Sequence, residues 1–170
     1  MLNKIKIDRK FWINFVFFFA GGIFLIVLYY KYRVAPAIEG NLSMHTLDGK
    51  QVHLRDYKGK TVFLNCFQTW CGPCCQEMPG IEFAKQNLDT SKIVFIIMSD
   101  EDHAKLASFA ENNHYDLLLM SSDTKFKDLG INAYPTTYII DDKGHVAYSK
   151  IGADDWGDET KIAQIQQIMQ

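Results

Sequence analysis

What this chain of 170 residues lacks narrows its chemistry before any motif is read. It has no internal repeat and no low-complexity segment, so a repeat array and a biased, unstructured chain are both set aside. Its net charge is only −2, which offers no electrostatic footing for a polyanionic partner such as nucleic acid. The five histidines, His45, His53, His103, His114 and His145, are scattered singly, with no i, i+4 pair. Cysteine is scarce: Cys66, Cys71, Cys74 and Cys75 are all there is. None lies near the end of the N-terminal apolar run, so that run has no acceptor for a lipid.

Charge is scarce on average but unevenly spread. Residues 1–33 carry six basic side chains against the single Asp8, a balance of +5, and the remainder stands at −7. Such a split predicts two environments. Residues 11–30 hold no charge, and Asn14 is their only strongly polar side chain. About twenty apolar residues in a helix span a bilayer core. Trp12 at one end and Tyr29, Tyr30 and Tyr32 at the other suit the two interfaces. Lys4, Lys6, Arg9 and Lys10 outnumber Lys31 and Arg33, which favours a cytoplasmic N-terminus. The expected organisation is therefore a cytoplasmic N-terminus at 1–10, a transmembrane signal-anchor helix at 11–30, a tether at 31–39 and a domain at 40–170 outside the cytoplasmic membrane. The competing reading is a cleaved signal peptide, whose apolar region is shorter and is followed by small residues. Ala35-Pro36-Ala37 supplies small residues, but Lys31 and Arg33 intervene, so a retained anchor is preferred.

Within the domain, residues 42–45 and 51–54 read as a hairpin around Asp48-Gly49. Residues 61–67 form an apolar strand, and a helix follows to about Leu88. Ile93 to Met98 is a continuous apolar run of the buried parallel type. Ser99-Asp100-Glu101-Asp102 can cap a helix through Asn113, with Leu106, Phe109 and Ala110 facing inward. Residues 117–120 read as a short strand, and Ser122-Asp123 as the cap of a brief helix ending at Gly130. A strand at 136–140, a turn at 141–144 and a strand at 145–151 make a second hairpin. Ile162, Ile165, Ile168 and Met169 mark one face of a closing helix. The pattern predicts an α/β fold with a mixed sheet flanked by helices on both faces.

The chemistry gathers where the first core strand meets its helix, at Trp70-Cys71-Gly72-Pro73-Cys74. The opening turn of a helix leaves N–H groups unpaired and carries partial positive charge. A cysteine there has its thiolate stabilised, and a partner about one turn along can close a small disulfide, passing two electrons per cycle. Pro73 fits the first turn, where a missing N–H costs nothing. Zinc takes four ligands and a lone CxxC supplies two, so with no histidine pair to complete it the redox reading is favoured over a metal site, and no cofactor is expected.

These residues also carry a resemblance. Trp-Cys-Gly-Pro-Cys at 70–74 is similar to the thioredoxin signature. The wider run, residues 59–65 through Glu77-Met78-Pro79, resembles the membrane-anchored TlpA/ResA branch of thiol–disulfide oxidoreductases, from about residue 40 to the C-terminus. The resemblance implies a thioredoxin-like fold with an added N-terminal β-hairpin and an inserted helix. It implies that Cys71 is the attacking, more exposed thiolate and Cys74 the resolving one. Thioredoxin has a buried aspartate six residues before the first cysteine, and this chain has Asn65 there, which cannot take a proton. Glu77, three residues after Cys74, is the candidate replacement; the alternative is that it only complements the positive helix end. Pro135 matches the family's cis-proline facing the two cysteines, with Trp70, Gly72, Pro73 and Tyr134 as groove residues. Tyr134 is bulkier than the family leads one to expect. The implied partners are disulfide-bearing envelope proteins, apocytochrome c among them, and a membrane thiol donor of the DsbD/CcdA type. The Gly-Pro between the cysteines resembles reducing members, which favours reduction.

Cys66, inside the strand, reads as a small buried hydrophobe. Cys75 stands where relatives have a polar or basic residue and creates a Cys71…Cys75 spacing like that of Sco-like copper proteins. A copper(I)- or peptide-binding module without redox turnover is therefore the alternative of a different class, although no later-loop histidine matches. A peroxidase pattern, Pro-x-x-x-Thr-x-x-Cys, is absent, since Thr69 precedes Cys71 by only two residues.

Overall fold

The apolar run at residues 61–67 becomes the middle of the molecule. In the computed structural model, which describes residues 9–33, 38 and 41–170, the elements from Ser43 onward build one seven-stranded sheet. They are β1 (Ser43–Thr46), β2 (Gln51–His53), β3 (Thr61–Cys66), β4 (Ile93–Ser99), β5 (Leu118–Ser122), β6 (Thr136–Ile140) and β7 (Val146–Ile151). Their order is β2-β1-β5-β4-β3-β6-β7, with β3, β4 and β5 parallel and every other pairing antiparallel. Every residue of β3 is buried, as a central strand covered on both faces requires. Val62, Leu64 and Cys66 enter one core layer, and Phe63 and Phe67 the other.

Helix α1 spans Arg9–Arg33, and the domain adds α2 (Gly72–Asn87), α3 (His103–Asn113) and α4 (Glu159–Ile168). The helices of the domain were expected on both faces of the sheet. Instead, α2, α3 and α4 all send their buried side chains into the layer of Phe63 and Phe67: Met78 and Ile81, then Leu106, then Ile162 and Ile165. The reason is topological. The steps β3–α2–β4 and β4–α3–β5 cross the sheet in the same direction, and crossovers of one hand then place both helices on one face. The opposite layer is closed without a helix from this set, by Leu42, Met44, Leu54, Phe126 and Ile131 from the hairpin and loops.

The brief helix expected after Ser122-Asp123 is a set of tight turns. Asp123 does not cap it, because its carboxylate is drawn to β1, where the Ser43 hydroxyl and His45 Nδ1 meet it. The chain closes instead with Ile131 N–H on Phe126 O at 2.8 Å, and Gly130 takes a left-handed φ of 76°.

The chain divides into two compact units, residues 1–34 and residues 35–170. Helix α1 is 25 residues long, and the side chains described along it, from Phe15 to Ile26, are largely exposed and apolar. Among the described residues no helix is long and apolar enough to cross a membrane, so the transmembrane helix expected at 11–30 is not found among them. The expected cytoplasmic segment at 1–8, and tether residues 34–37 and 39, lie outside the described residues.

Candidate active site

β3 ends at Cys66, and Phe67 N–H still reaches back to Met98 O of β4 at 2.9 Å. The next four residues form a turn closed by Cys71 N–H on Gln68 O at 3.0 Å, and α2 starts at once. Cys71 is the N-cap of α2, in extended conformation, with Pro73 in the first turn. Its Sγ accepts the Cys74 N–H at 3.3 Å, so a sulfur occupies the place a capping oxygen takes elsewhere. Cys71 and Cys74 are joined by a disulfide with Cα atoms 5.3 Å apart. Cys71 is 6% exposed and Cys74 is fully buried, so whatever approaches the bond meets Cys71 first.

Glu77 lies one turn further along and is 5% exposed. Its Oε1 accepts from Asn65 Nδ2 at 2.7 Å, and its Oε2 accepts from Asp154 N–H and Trp156 Nε1, each at 3.1 Å. Burial pushes its carboxyl above the ordinary glutamate range, and these three neutral donors only partly offset that. An open cleft of about 420 Å³, lined by Pro73, Gln76, Gly80 and residues 153–155, reaches the same carboxyl. The close approach of the Trp156 loop depends on Gly80, where a Cβ would meet Gly157 N at 3.2 Å. Asn65, whose place in the sequence suggested a vacancy, instead spans Glu77 and Thr137 Oγ1, leaving its own Oδ1 buried without a partner.

Pro135 follows a cis Tyr134–Pro135 peptide bond, the geometry the resemblance implied. It directly precedes Thr136, which pairs with Cys66, so it stands at the end of the sheet where the Cys71 turn begins. Tyr134 is half-buried, and its ring meets that of Trp70 edge to face at 6.1 Å. Trp70 is 68% exposed, which places its indole on the rim rather than in the core. Gly72 and Pro73 complete the rim as the first two helical residues.

The remaining cysteines are free. Cys66 is fully buried, and burial, with the Asp100 charge nearby, pushes its thiol far up. Cys75 is partly buried, and its Sγ lies 3.9 Å from Thr69 O; burial raises its thiol as well. Among the described residues no group of three histidine, cysteine, aspartate or glutamate side chains is arranged to hold a metal.

Sequence reasoning missed two acids at this end of the sheet. Asp100 and Glu101 read as helix-capping residues, yet they turn back to the loop before Cys71. Asp100 accepts the Gln68 amide, and Glu101 accepts the Thr69 N–H and hydroxyl. The cap itself is Asp102, whose side chain makes no capping hydrogen bond. Only the density of acids at 99–102 hinted at a second use.

Against known proteins, the Redoxin family model matches residues 33–166. The thioredoxin-like protein YneN of Bacillus subtilis (strain 168) is 35% identical over 116 residues, 66% of this chain and 68% of that protein. The thiol-disulfide oxidoreductase ResA of Bacillus thuringiensis subsp. konkukian (strain 97-27) is 36% identical over 110 residues, 62% of this chain and 63% of ResA. The chain therefore spans about two thirds of the length of these relatives. A thioredoxin-family thiol:disulfide interchange protein from Chlorobium tepidum TLS superposes with a TM-score of 0.64 at 22% identity, covering 81% of this chain and 99% of that one, which speaks for the fold alone. With its CxxC disulfide capping α2 and this pattern of relatives, the chain belongs to the Redoxin family, as a TlpA/ResA-like thiol–disulfide oxidoreductase.

Proposed function

We propose that this protein reduces disulfides of proteins outside the cytoplasmic membrane, held there by α1. The observation that carries the reading is the Cys71–Cys74 disulfide at the N-cap of α2, with Cys71 the outer sulfur. In the reduced enzyme the Cys71 thiolate attacks one sulfur of a client disulfide. A mixed disulfide forms, and the other client sulfur leaves as a thiolate and takes a proton from water. Cys74 then gives up its proton and attacks Cys71 Sγ. The second client sulfur departs, and the Cys71–Cys74 bond is formed, so the client gains two electrons and the enzyme loses two. Glu77 is the proton acceptor in this step: its carboxyl is raised by burial, it lies on the same helix one turn beyond Cys74, and the cleft at Gln76 and Asp154 offers the proton a way to solvent. Pro135, Tyr134 and Trp70 form the wall against which the client chain lies.

The reductive direction is supported by Gly72-Pro73 between the cysteines, as in reducing thioredoxins. Since disulfides persist outside the cytoplasm, a reductant there needs an electron supply, for which a membrane thiol donor of the DsbD/CcdA type is fitting. Envelope proteins, apocytochrome c among them, are the proposed clients. The membrane tether rests on the apolar residues 11–30 and the exposed Phe15, Phe17, Phe18, Phe24 and Leu25 of α1. A redox titration of the full chain, with thiol trapping read by mass, tests the whole reading. One two-electron couple confined to Cys71 and Cys74, with a potential near that of thioredoxin, is expected. A potential as high as that of a dedicated disulfide donor would overturn the reductive assignment.

A further inference from the structure

The parallel ladder between β3 and β4 does not stop with its last strand residues. After Phe67 N–H on Met98 O, side chains continue it. The Gln68 amide donates to Asp100 Oδ1 at 2.5 Å, and Thr69 donates its N–H to Glu101 Oε2 at 2.6 Å and its hydroxyl to Oε1 at 3.0 Å. Residues 67, 68 and 69 are thus each tied to the exit of β4. Trp70 and Cys71 follow at once, inside the turn closed on Gln68 O. Both acids are anchored in turn. Asp100 Oδ2 accepts the Phe126 N–H at 2.8 Å. Glu101 accepts the Ser99 hydroxyl at 3.2 Å and pairs with Lys105.

Cys71 owes its reactivity to where its sulfur sits. The favourable field of a helix N-terminus falls off within the first turn, and Sγ is held 3.3 Å from the Cys74 N–H. The turn that sets this position has no ladder of its own, so what holds Thr69 fixes Cys71. We propose that Glu101, assisted by Asp100, is a positioning residue for the reaction, bracing residues 68–69 so that the Cys71 sulfur stays over the open end of α2. This deepens the reading of Cys71 as the attacking sulfur and rests on it.

The test follows alkylation of the reduced full chain by iodoacetamide across pH, resolved by peptide mass. Glu101→Gln keeps the size of the side chain but sets an amide N–H against a donor. Glu101→Gln with Lys105→Met removes one charge of each sign, so its readout reports geometry and not field. In both, the Cys71 profile should move to higher pH and labelling near neutrality should slow by about fivefold. Thr69→Val, which deletes the hydroxyl and keeps the N–H, should slow it by about twofold. A brace that mattered only for stability would lower the melting temperature and leave the Cys71 profile in place, which overturns the proposal. Where Glu101→Gln does not fold, Thr69→Val decides alone, an unchanged profile being the overturning result. If Cys74 or Cys75 of the wild type is labelled before Cys71, the parent reading falls and this one with it. If Cys71 is first but insensitive to the variants, only the bracing role falls.

Discussion

Two glutamates flank the opening of α2, both nearly buried, and their acidities are pushed in opposite directions. Glu77 is 5% exposed, and the Glu101 side chain 9%. For each, burial is the largest influence and acts upward. At Glu77 the opposing donors are all neutral, and the nearby Asp154 charge pushes the same way as burial, so the carboxyl stays raised. At Glu101 the Lys105 ammonium, then the Thr69 N–H and hydroxyl, outweigh burial and hold the carboxyl low. The difference teaches that counting hydrogen bonds does not give the charge state; one cation does what neutral donors cannot. Glu77 therefore holds a proton more readily than an ordinary glutamate, and Glu101, which holds a loop, less readily.

The largest effect should come from removing the titrating carboxyl. Glu77→Gln is expected to slow turnover by on the order of a hundredfold while leaving the fold intact, since the unpartnered Asn65 Oδ1 can turn to accept the new amide N–H. The sign for stability runs the other way. The native state keeps the Glu77 proton where the unfolded chain has lost it, so the wild type loses stability as pH rises from the ordinary glutamate range through the raised native value. That slope should vanish in the variant. Stopped-flow turnover and denaturant midpoints across pH check both; full turnover with an unchanged slope would remove Glu77 from the mechanism.

Next in size is Trp156→Phe. Trp156 is 1% exposed, packs edge to face on Phe63 at 4.9 Å and donates to Glu77. Losing the donor and some volume should cost about 2 kcal/mol and move the Glu77 titration further up, as carboxyl NMR would show. A Glu77 titration that does not move would mean that burial alone sets it.

How much of this was legible in the chain depended on how local the cause was. The apolar run of β3, the Asp141–Gly144 turn and the isoleucine face of α4 declare themselves through periodicity and turn chemistry, and the structure has each within a residue or two. The CxxC at a strand–helix junction was equally plain. The helices' shared face was not, because it follows from the order in which strands enter the sheet. The missing helix after Ser122 was lost to Ser43 and His45, some 80 residues earlier, which compete for Asp123. The polar partners of the two glutamates show the same limit. Asn65, Trp156 and Asp154 reach Glu77 across up to 79 positions, and Thr69 reaches Glu101 across 32. Apart from the Asn65–Glu77 bond, 12 positions long, no short window on the sequence contains both ends of such a bond.

The smallest expected effect is the most direct test of what separates the two carboxylates. Lys105→Met takes away the cation and leaves the Thr69 and Ser99 donors on Glu101. Since the native carboxyl is held below its unfolded value, it contributes stability above the ordinary glutamate range, and that contribution is lost as pH falls through the depressed native value. Without Lys105 the native value rises towards the unfolded one, so the acid-side loss should be smaller and end at higher pH, the variant being less stable than the wild type near neutrality and converging on it in acid. The lysine side chain is 54% exposed, so solvent screens the pair and the change near neutrality should be about 0.5 kcal/mol or less. Molar salt should reproduce part of it in the wild type, and the Glu77 slope should stay as it was. If acid unfolding of Lys105→Met superimposes on the wild type at low salt, the neutral donors suffice at Glu101, and the contrast with Glu77 has to come from the Asp154 charge instead.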